Sequence, residues 1–448
     1  MKLLSHFNNF LHDAVNIDEA RLEVLDSRIG FISDYLETAP VVGDAFVDVI
    51  PQGSMAHGTI IKPFNGHEFD ADILLHLRPQ EDWLAKDYIE EVYKAFRLSG
   101  NYRNRVTRKN RCVTVQYAND CHIDVVPFLE LQDGDFHITN RNEGEDGTYE
   151  QSDPTGYTSW LDERNRITGG NLIKSIRLLK WLRDYKQTFT CKSVVLNILI
   201  AGRVNDVNLL LDSKYYTDTP TTLVHLLEDL DAYLEPHFVY MPRIEDPTLP
   251  GVDYNHRWDN DQYLNFRKMI KYYATKARAA YDEPDRMKSI ELWRELFGDQ
   301  FASTVRTLSD IHGGIDVLTK AADPGEMFIE NLHCTQIDLT YKLKVKGVVL
   351  PKNGFRTYQL SHRGNRVDPN RTIKFSVAKC NVPGEYEVKW KIKNRGVAAR
   401  EAQCLRGEIV SGETHVEPTK YRGRHYVECY IIKDGVCVAR DRQTVIIT

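Results

Sequence analysis

The chain has no run of about eighteen consecutive apolar residues, the length a helix needs to cross a bilayer, so no membrane insertion is predicted. Its first residues, Met1-Lys2-Leu3-Leu4-Ser5-His6-Phe7-Asn8, lack the uninterrupted apolar stretch of a secretion signal. The eight cysteines among 448 residues are scattered and include no C-x-x-C pair. That argues against a zinc site or disulfide framework and for free thiols in a reducing cytoplasm. Positive charge is scarce before residue 331 and abundant after it. Residues 331–448 carry 22 Lys and Arg against 11 Asp and Glu; with −6 overall, residues 1–330 stand at −17. The basic part therefore meets a polyanion, packs against the acidic part, or both. What is present is ordinary for a soluble chain with a real core, 42% hydrophobic and 27% charged, and the length asks for two or three domains.

One stretch organises the rest. In Glu68-Phe69-Asp70-Ala71-Asp72-Ile73-Leu74-Leu75, two aspartates alternate with apolar residues and run into an apolar segment, the pattern of a β-strand. Residues two apart on a strand project from one face, so Asp70 and Asp72 stand side by side. Adjacent carboxylates repel, and a divalent cation held by oxygen ligands relieves the repulsion. Glu68 shares that face as an extra ligand or, more simply, a solvated strand start. Upstream, the strand Phe46-Val47-Asp48-Val49-Ile50-Pro51 ends at Gly53-Ser54, where backbone N–H groups and a hydroxyl can meet a phosphate. Downstream, Val113–Tyr117 and Cys121–Pro127 read as a hairpin around Ala118-Asn119-Asp120. Within it Asp124 lies between Ile123 and Val125, a charge on a core strand that needs a metal or cationic partner. One D-x-D alone is weak evidence. Gly-Ser, then D-x-D, then a later strand aspartate is much more specific.

These residues resemble the G-S, D-x-D and single-D positions of the cyclic-GMP-AMP-synthase-like nucleotidyltransferases of bacterial defence, the CD-NTases or SMODS proteins. The resemblance implies a polymerase-beta-like α/β (α+β) core with a helical second lobe. It also implies that Asp70, Asp72 and Asp124 carry catalysis and hold two Mg²⁺ ions, with Mn²⁺ as the alternative. Gly53 and Ser54 would hold the β- and γ-phosphates of a nucleoside triphosphate. Lys180, on the basic segment Asn171–Arg183, and Ser193, opening Val194–Ile200 after a cap at Thr190-Cys191, match the family positions that hold the donor triphosphate. Read without the family, Lys180 is equally a surface helix lysine beside Lys174 and Arg177. Val194 stands where the related animal enzyme stacks a base on an aromatic residue. The polar stretch Thr139–Trp160 reads as a loop with a family-like Glu150-Gln151-Ser152-Asp153-Pro154. Trp293, Phe297-Gly298 and Phe301 resemble the end of the SMODS unit and read as core packing.

The rest is scaffold. Residues from about Asn9 to Leu36 show helical spacing and would brace the sheet, and a second helix spans Asp82–Phe96. The cationic Tyr102–Arg111 either holds nucleotide phosphates or is a charged edge strand. Pro242, Pro247 and Pro250 mark an irregular crossing toward Trp258, and Tyr263–Tyr281 reads as a helix ended by Glu283-Pro284. Residues 306–330, with Gly313-Gly314 and Asp323-Pro324-Gly325, read as a linker. Alternation in Ile337–Val345, Tyr386–Ile392 and His425–Ile432, with turns at Asn394-Arg395-Gly396 and Lys433-Asp434-Gly435, predicts an all-β sandwich over 331–448. It resembles the AGS-C type sensor domain attached to some SMODS proteins. The expected division is a catalytic core over 1–160, a helical lobe over 161–305, the linker and the β-domain.

The main functional expectation is a template-independent enzyme that polymerises NTPs or dNTPs into a cyclic or linear nucleotide signal for antiphage defence. It would act on a separate effector, which could be membrane-associated, and its product could rest on the basic β-domain. Three other readings stay open. One is a linear polymerase primed by its own C-terminal hydroxyl, at Thr448 of Thr444-Val445-Ile446-Ile447-Thr448, against the simpler reading of a final strand that ends in threonine. Another is a toxin that transfers nucleotides to protein or tRNA. The third is a non-catalytic binder, which the complete aspartate set disfavours.

Overall fold

A computed structural model describes residues 1–64, 69–117, 121–131, 134–303, 327, 329, 336–351, 357–395 and 397–448. Glu68, the hairpin tip at 118–120 and most of the expected linker, with its two glycine signals, lie outside these. The chain forms two compact units, Met1–Val317 and Leu318–Thr448.

The first unit is built on a sheet in the order β1 (Phe46–Gln52), β2 (Phe69–Leu77), β5 (Cys121–Glu130), β4 (Val113–Tyr117), β3 (Val106–Arg108). Strand β6 (Phe136–Asn140) adds to β5, and β7 (Thr148–Gln151) adds to β6. Strands β2 and β5 run parallel, while the other neighbours are antiparallel. A parallel pair needs a crossover, and the chain between them includes α5 (Ala85–Leu98). That helix buries Tyr88, Ile89, Val92, Ala95 and Phe96, one apolar face at helical spacing.

The N-terminal region is broken where a continuous helix is expected. Helix α1 (Leu4–Phe10) passes into one π-helical turn (Leu11–Val15), and α2 (Glu19–Thr38) starts afresh. Asp18 accepts from the Arg21 N–H at 2.8 Å, an N-cap whose side chain competes with helix continuation. Likewise the stretch Thr139–Trp160 is not all loop. It holds β7 and the start of α6 (Pro154–Ile167), which Asp153 caps through the Gly156 N–H at 2.7 Å. Strand β7 alternates half-buried and exposed residues at a sheet edge, so its polarity hides it in the sequence.

The helical part continues with α7 (Asn171–Lys186), α8 (Ser193–Ala201), α9 (Asp206–Leu211), α10 (Thr219–Leu234), α11 (Asn260–Asp282) and α12 (Arg286–Phe297). Helix α7 is buried over most of its length, not amphipathic at a surface. Ser193–Leu211 is apolar enough on average to cross a bilayer, but α8 packs in the core and a turn carrying Arg203 separates it from α9. The expected aromatic packing at the end of the unit is present. Trp293, Phe297 and Phe301 enclose Phe7, with ring centroids 4.9, 6.1 and 5.0 Å from it. Gly298 has φ +85°, and a Cβ there would lie 2.6 Å from the Tyr185 ring, so the turn between those aromatics requires glycine.

The second unit is a sandwich. One sheet has the order β10 (Tyr358–Gln359), β9 (Leu343–Val349), β12 (Thr372–Cys380), β15 (Thr414–Pro418). The other has β11 (Arg366–Val367), β17 (Val436–Ile447), β16 (Gly423–Lys433), β13 (Glu387–Lys393), β14 (Arg406–Ser411), with β8 (Gln336–Ile337) beside β17. Val345, Ile373 and Phe375 from the first sheet meet Trp390, Ile392, Val427 and Ile431 from the second in one core. Asp434 and Gly435 both have positive φ and close the β16–β17 hairpin, as the sequence predicts. A short helix, Val397–Glu401, follows Asn394-Arg395 where a tight turn is expected.

Part of the positive excess of this unit is internal. Lys391 and Lys393 are buried, and fully buried Glu428 accepts from Arg440 Nε at 2.9 Å, Arg442 Nη2 at 2.8 Å and the Tyr430 hydroxyl at 2.9 Å. Burial opposes ionisation of Glu428, yet Arg440 and Arg442 outweigh it and hold its carboxyl well below the usual range. Eleven excess charges by count are therefore not eleven charges on the surface. The chain end is the last strand: Ile447 pairs with Gly423 and Val367, and the Thr448 N–H donates to Val367 O at 3.2 Å.

Candidate active site

Sheet register brings the three sequence-predicted aspartates together. In the parallel β2–β5 ladder, Asp72 sits opposite Asp124 and Asp70 opposite His122. On the other side of β5, Thr114 is opposite Asp124 and its hydroxyl donates to Asp124 Oδ1 at 2.5 Å. Lys109 Nζ lies 3.2 and 3.1 Å from the two Asp124 oxygens, and His122 Nε2 is 3.2 Å from Asp70 Oδ1. Asp72 is the strained member. Burial, then the charges of Asp124 and Asp70, push its carboxyl up to about 6.

Asp72 also faces the end of β1, where Gln52 is its register partner. The next residue, Gly53, has φ +64°, and a Cβ on it would fall 2.3 Å from Asp72 Oδ2. Only glycine lets this turn approach the carboxylate so closely. Gly53→Ala should therefore displace Asp72 and lower turnover about tenfold or more, because misplacing a reacting group by about 1 Å can cost a hundredfold. Steady-state kinetics check this, with a melting curve to confirm folding.

A cavity of about 1020 Å³, at the upper end for ligand pockets, opens here. Gly53, Ser54, Asp70, Asp72, Lys180 and Ser193 all line it. Lys180 is no surface lysine. It is 3% exposed and donates to Thr59 O and Thr59 Oγ1, both at 3.0 Å. Burial, then the charge of Arg183, pushes its ammonium down to about 7. Ser193 opens α8 as expected, but Lys192, not Thr190-Cys191, is the N-cap residue. The Ser193 hydroxyl accepts from Arg183 Nη1 at 3.3 Å.

The cationic stretch does something the sequence did not suggest. Lys109 pairs with Asp124, Arg108 with Glu90, and Arg111 forks onto Glu150 at 2.6 and 2.7 Å. Its charge is spent largely on carboxylates of the same unit. Thr114 and His122 were also missed; their positions opposite the aspartates become visible only once strand pairing is known.

No three His, Cys, Asp or Glu side chains among the described residues stand as a ready-made metal cage. The donor set nevertheless fits a hard divalent ion. It is all carboxylate oxygen, and Asp72, raised by burial and then by the charges of Asp124 and Asp70, is a carboxylate that a cation would stabilise.

A mixed sheet with carboxylates on adjoining central strands, beside a cavity walled by helices, is a polymerase-beta-like fold, the fold of nucleotidyltransferases. The solved structure of E. coli MS115-1 CdnC with ATP shares this fold. It is 20% identical, covers 67% of this chain and 99% of its own, and has a TM-score of 0.51. Residues 1–165 match the Second Messenger Oligonucleotide or Dinucleotide Synthetase domain, and residues 324–448 match the Adenylyl/Guanylyl and SMODS C-terminal sensor domain. These two matches, one near each end of the chain, are the domain arrangement of a CD-NTase with a C-terminal sensor domain, which the chain resembles. It is similar to a c-di-GMP synthase of Roseivirga ehrenbergii, 30% identical over 35% of this chain and 42% of that enzyme. It is also similar to a probable cyclic AMP-AMP-GMP nucleotide synthase of Salmonella paratyphi B, 25% identical over 72% of this chain and 98% of that one.

Proposed function

We propose that the chain joins nucleoside triphosphates, without a template, into a nucleotide signal that acts on a separate effector in the cytoplasm. The observation that carries this is the register of Asp124 beside Asp72, where Asp70 and Asp72 line a cavity together with Gly53, Ser54 and Lys180. Asp70, Asp72 and Asp124 are assigned to hold two divalent ions, Mg²⁺ or Mn²⁺. Such ions, when bound, activate an acceptor hydroxyl and neutralise a leaving pyrophosphate. Gly53 and Ser54 orient the β- and γ-phosphates, Lys180 contributes a charge to the triphosphate, and Ser193 closes the same end of the cavity. A cyclic product is favoured by the names of the two synthases above, one a c-di-GMP synthase and the other a probable cyclic AMP-AMP-GMP nucleotide synthase. The basic second unit is assigned to hold product or another polyanion. Self-priming from Thr448 gains nothing from a terminus paired into a sheet, and no observation favours protein or tRNA as acceptor.

Metal removal tests the assignment. Chelation should abolish pyrophosphate release from NTPs, and added Mg²⁺ or Mn²⁺ should restore it. Release that continues in chelator would remove the metal role from the three aspartates.

A further inference from the structure

The cavity is also lined by polar side chains that phosphate and carboxylate chemistry does not use: Tyr157 on α6, Asn197 on α8, and Asp246 and Tyr254 from the irregular crossing. Two of the four are already committed. Asp246 Oδ1 accepts from Thr248 N, Thr248 Oγ1 and Leu249 N at 2.8, 2.9 and 3.1 Å, and Oδ2 accepts from the Tyr254 hydroxyl at 2.7 Å. The other two are not. Asn197 is 3% exposed and its Oδ1 has no donor; Tyr157 is 6% exposed and its hydroxyl has no partner. The Tyr157 hydroxyl lies close enough to the Asn197 amide for that amide to draw it down, but too poorly aligned for a hydrogen bond; burial, the larger effect, pushes it up. Its ring is fixed against His57, with centroids 4.9 Å apart. A buried polar atom left without a partner costs about 1–3 kcal/mol, and folded proteins keep few of them. Two on neighbouring side chains, both on the wall of one cavity, point to a ligand.

The ligand's chemistry follows from position and donor pattern. Asn197 lies four residues after Ser193 on α8, hence on the same face and about 6 Å further along the axis. A nucleotide whose triphosphate lies at Lys180 and Ser193 would extend its base this way. The carboxamide offers one acceptor and one donor, and the tyrosine hydroxyl adds a second donor. An acceptor flanked by donors complements adenine, whose amino group stands between two ring-nitrogen acceptors, and the amide–adenine fork is the familiar half of that match. Guanine places a carbonyl oxygen where adenine has its amino group. We propose that Asn197 and Tyr157 read the amino edge of adenine, so that the chain selects ATP for the nucleotide whose triphosphate it holds. This rests on the assignment of the triphosphate to Gly53, Ser54, Lys180 and Ser193.

Binding without turnover tests it. The full chain, with Mg²⁺, is titrated with α,β-methylene-ATP, α,β-methylene-GTP and inorganic tripolyphosphate, alongside Asn197→Asp and Tyr157→Phe. The wild type should prefer the adenine analogue. Asn197→Asp, which replaces the amide donor by an acceptor, should weaken the adenine analogue about 10- to 100-fold, the range of one good bidentate base contact, and spare the guanine analogue. Tyr157→Phe should give a smaller loss, again confined to adenine, and serves alone if Asn197→Asp does not fold. Tripolyphosphate should bind all three proteins equally. Equal changes for both analogues, or none, with tripolyphosphate still competing, overturn the base assignment alone. Failure of tripolyphosphate to compete in the wild type overturns the triphosphate assignment and this proposal with it.

Discussion

Asp70→Asn combined with Asp72→Asn is expected to lower turnover about a thousandfold or more, since metal stabilisation of the transition state is worth several kcal/mol. The same protein, free of metal, should melt higher than wild type near pH 7. The reason is the position of Asp72, whose carboxyl is pushed from 3.8 up to about 6. Between those values the folded chain holds a proton that the unfolded chain has lost, so stability falls as pH rises through the window. A shift of this size corresponds to about 3 kcal/mol at most, and each kcal/mol moves a melting midpoint by roughly 2–4 °C in a domain of moderate size. An asparagine has no proton to lose and removes the penalty. The two proteins should melt together below pH 4 and separate at pH 7.5. Calorimetry in chelator reads the stability half, and pyrophosphate release reads the other. Turnover retained in the double variant would remove these aspartates from the active site.

Lys180→Met should raise the apparent KM for nucleoside triphosphate about 10- to 100-fold, the worth of one charge-assisted hydrogen bond, with a smaller effect on kcat. Methionine keeps the buried stem and discards the charge, at the cost of two hydrogen bonds to Thr59. The wild-type lysine, pushed down to about 7, is largely neutral at pH 8. An arriving triphosphate favours its charged form, so binding at pH 8 should take up a proton, seen as a binding enthalpy that depends on the buffer. The unfolded chain holds this proton up to about 10.5, so the stability contributed by the site rises between pH 7 and 10.5. Lys180→Met should lose both the buffer dependence and that rise. An unchanged KM together with an unchanged buffer dependence would leave Lys180 as a packing residue.

What the sequence made legible is what strand alternation and charge in a core can carry. Asp70 and Asp72 stand out because a period-2 strand puts them on one face, and Asp124 because a carboxylate between Ile123 and Val125 needs a reason. Alternation likewise revealed the sandwich. Pairing partners are not local, so the Asp72–Asp124 register and the neighbours Thr114, His122 and Lys109 appear only with the sheet. Lys109 was masked by the surrounding cations, whose partners Glu90 and Glu150 are distant in sequence. The break at Asn16–Asp18 escaped because apolar spacing continues across it while one capping carboxylate ends the hydrogen-bond ladder. Burial of Lys180 depends on every helix around α7, and Asn197 carries no sequence signal, since an asparagine in an apolar helix reads as an exception and not as a site.

The central claim is that this chain turns nucleoside triphosphates into a diffusible nucleotide product. It is tested most directly by incubating the full chain with Mg²⁺ and radiolabelled NTPs, one base at a time and in mixtures, and separating the products after phosphatase treatment. Phosphatase-resistant nucleotide products should appear free in solution, made by the wild type and absent with Asp70→Asn and Asp72→Asn. Label found only on the protein or on added tRNA, or no product from any NTP or dNTP mixture, would contradict the claim.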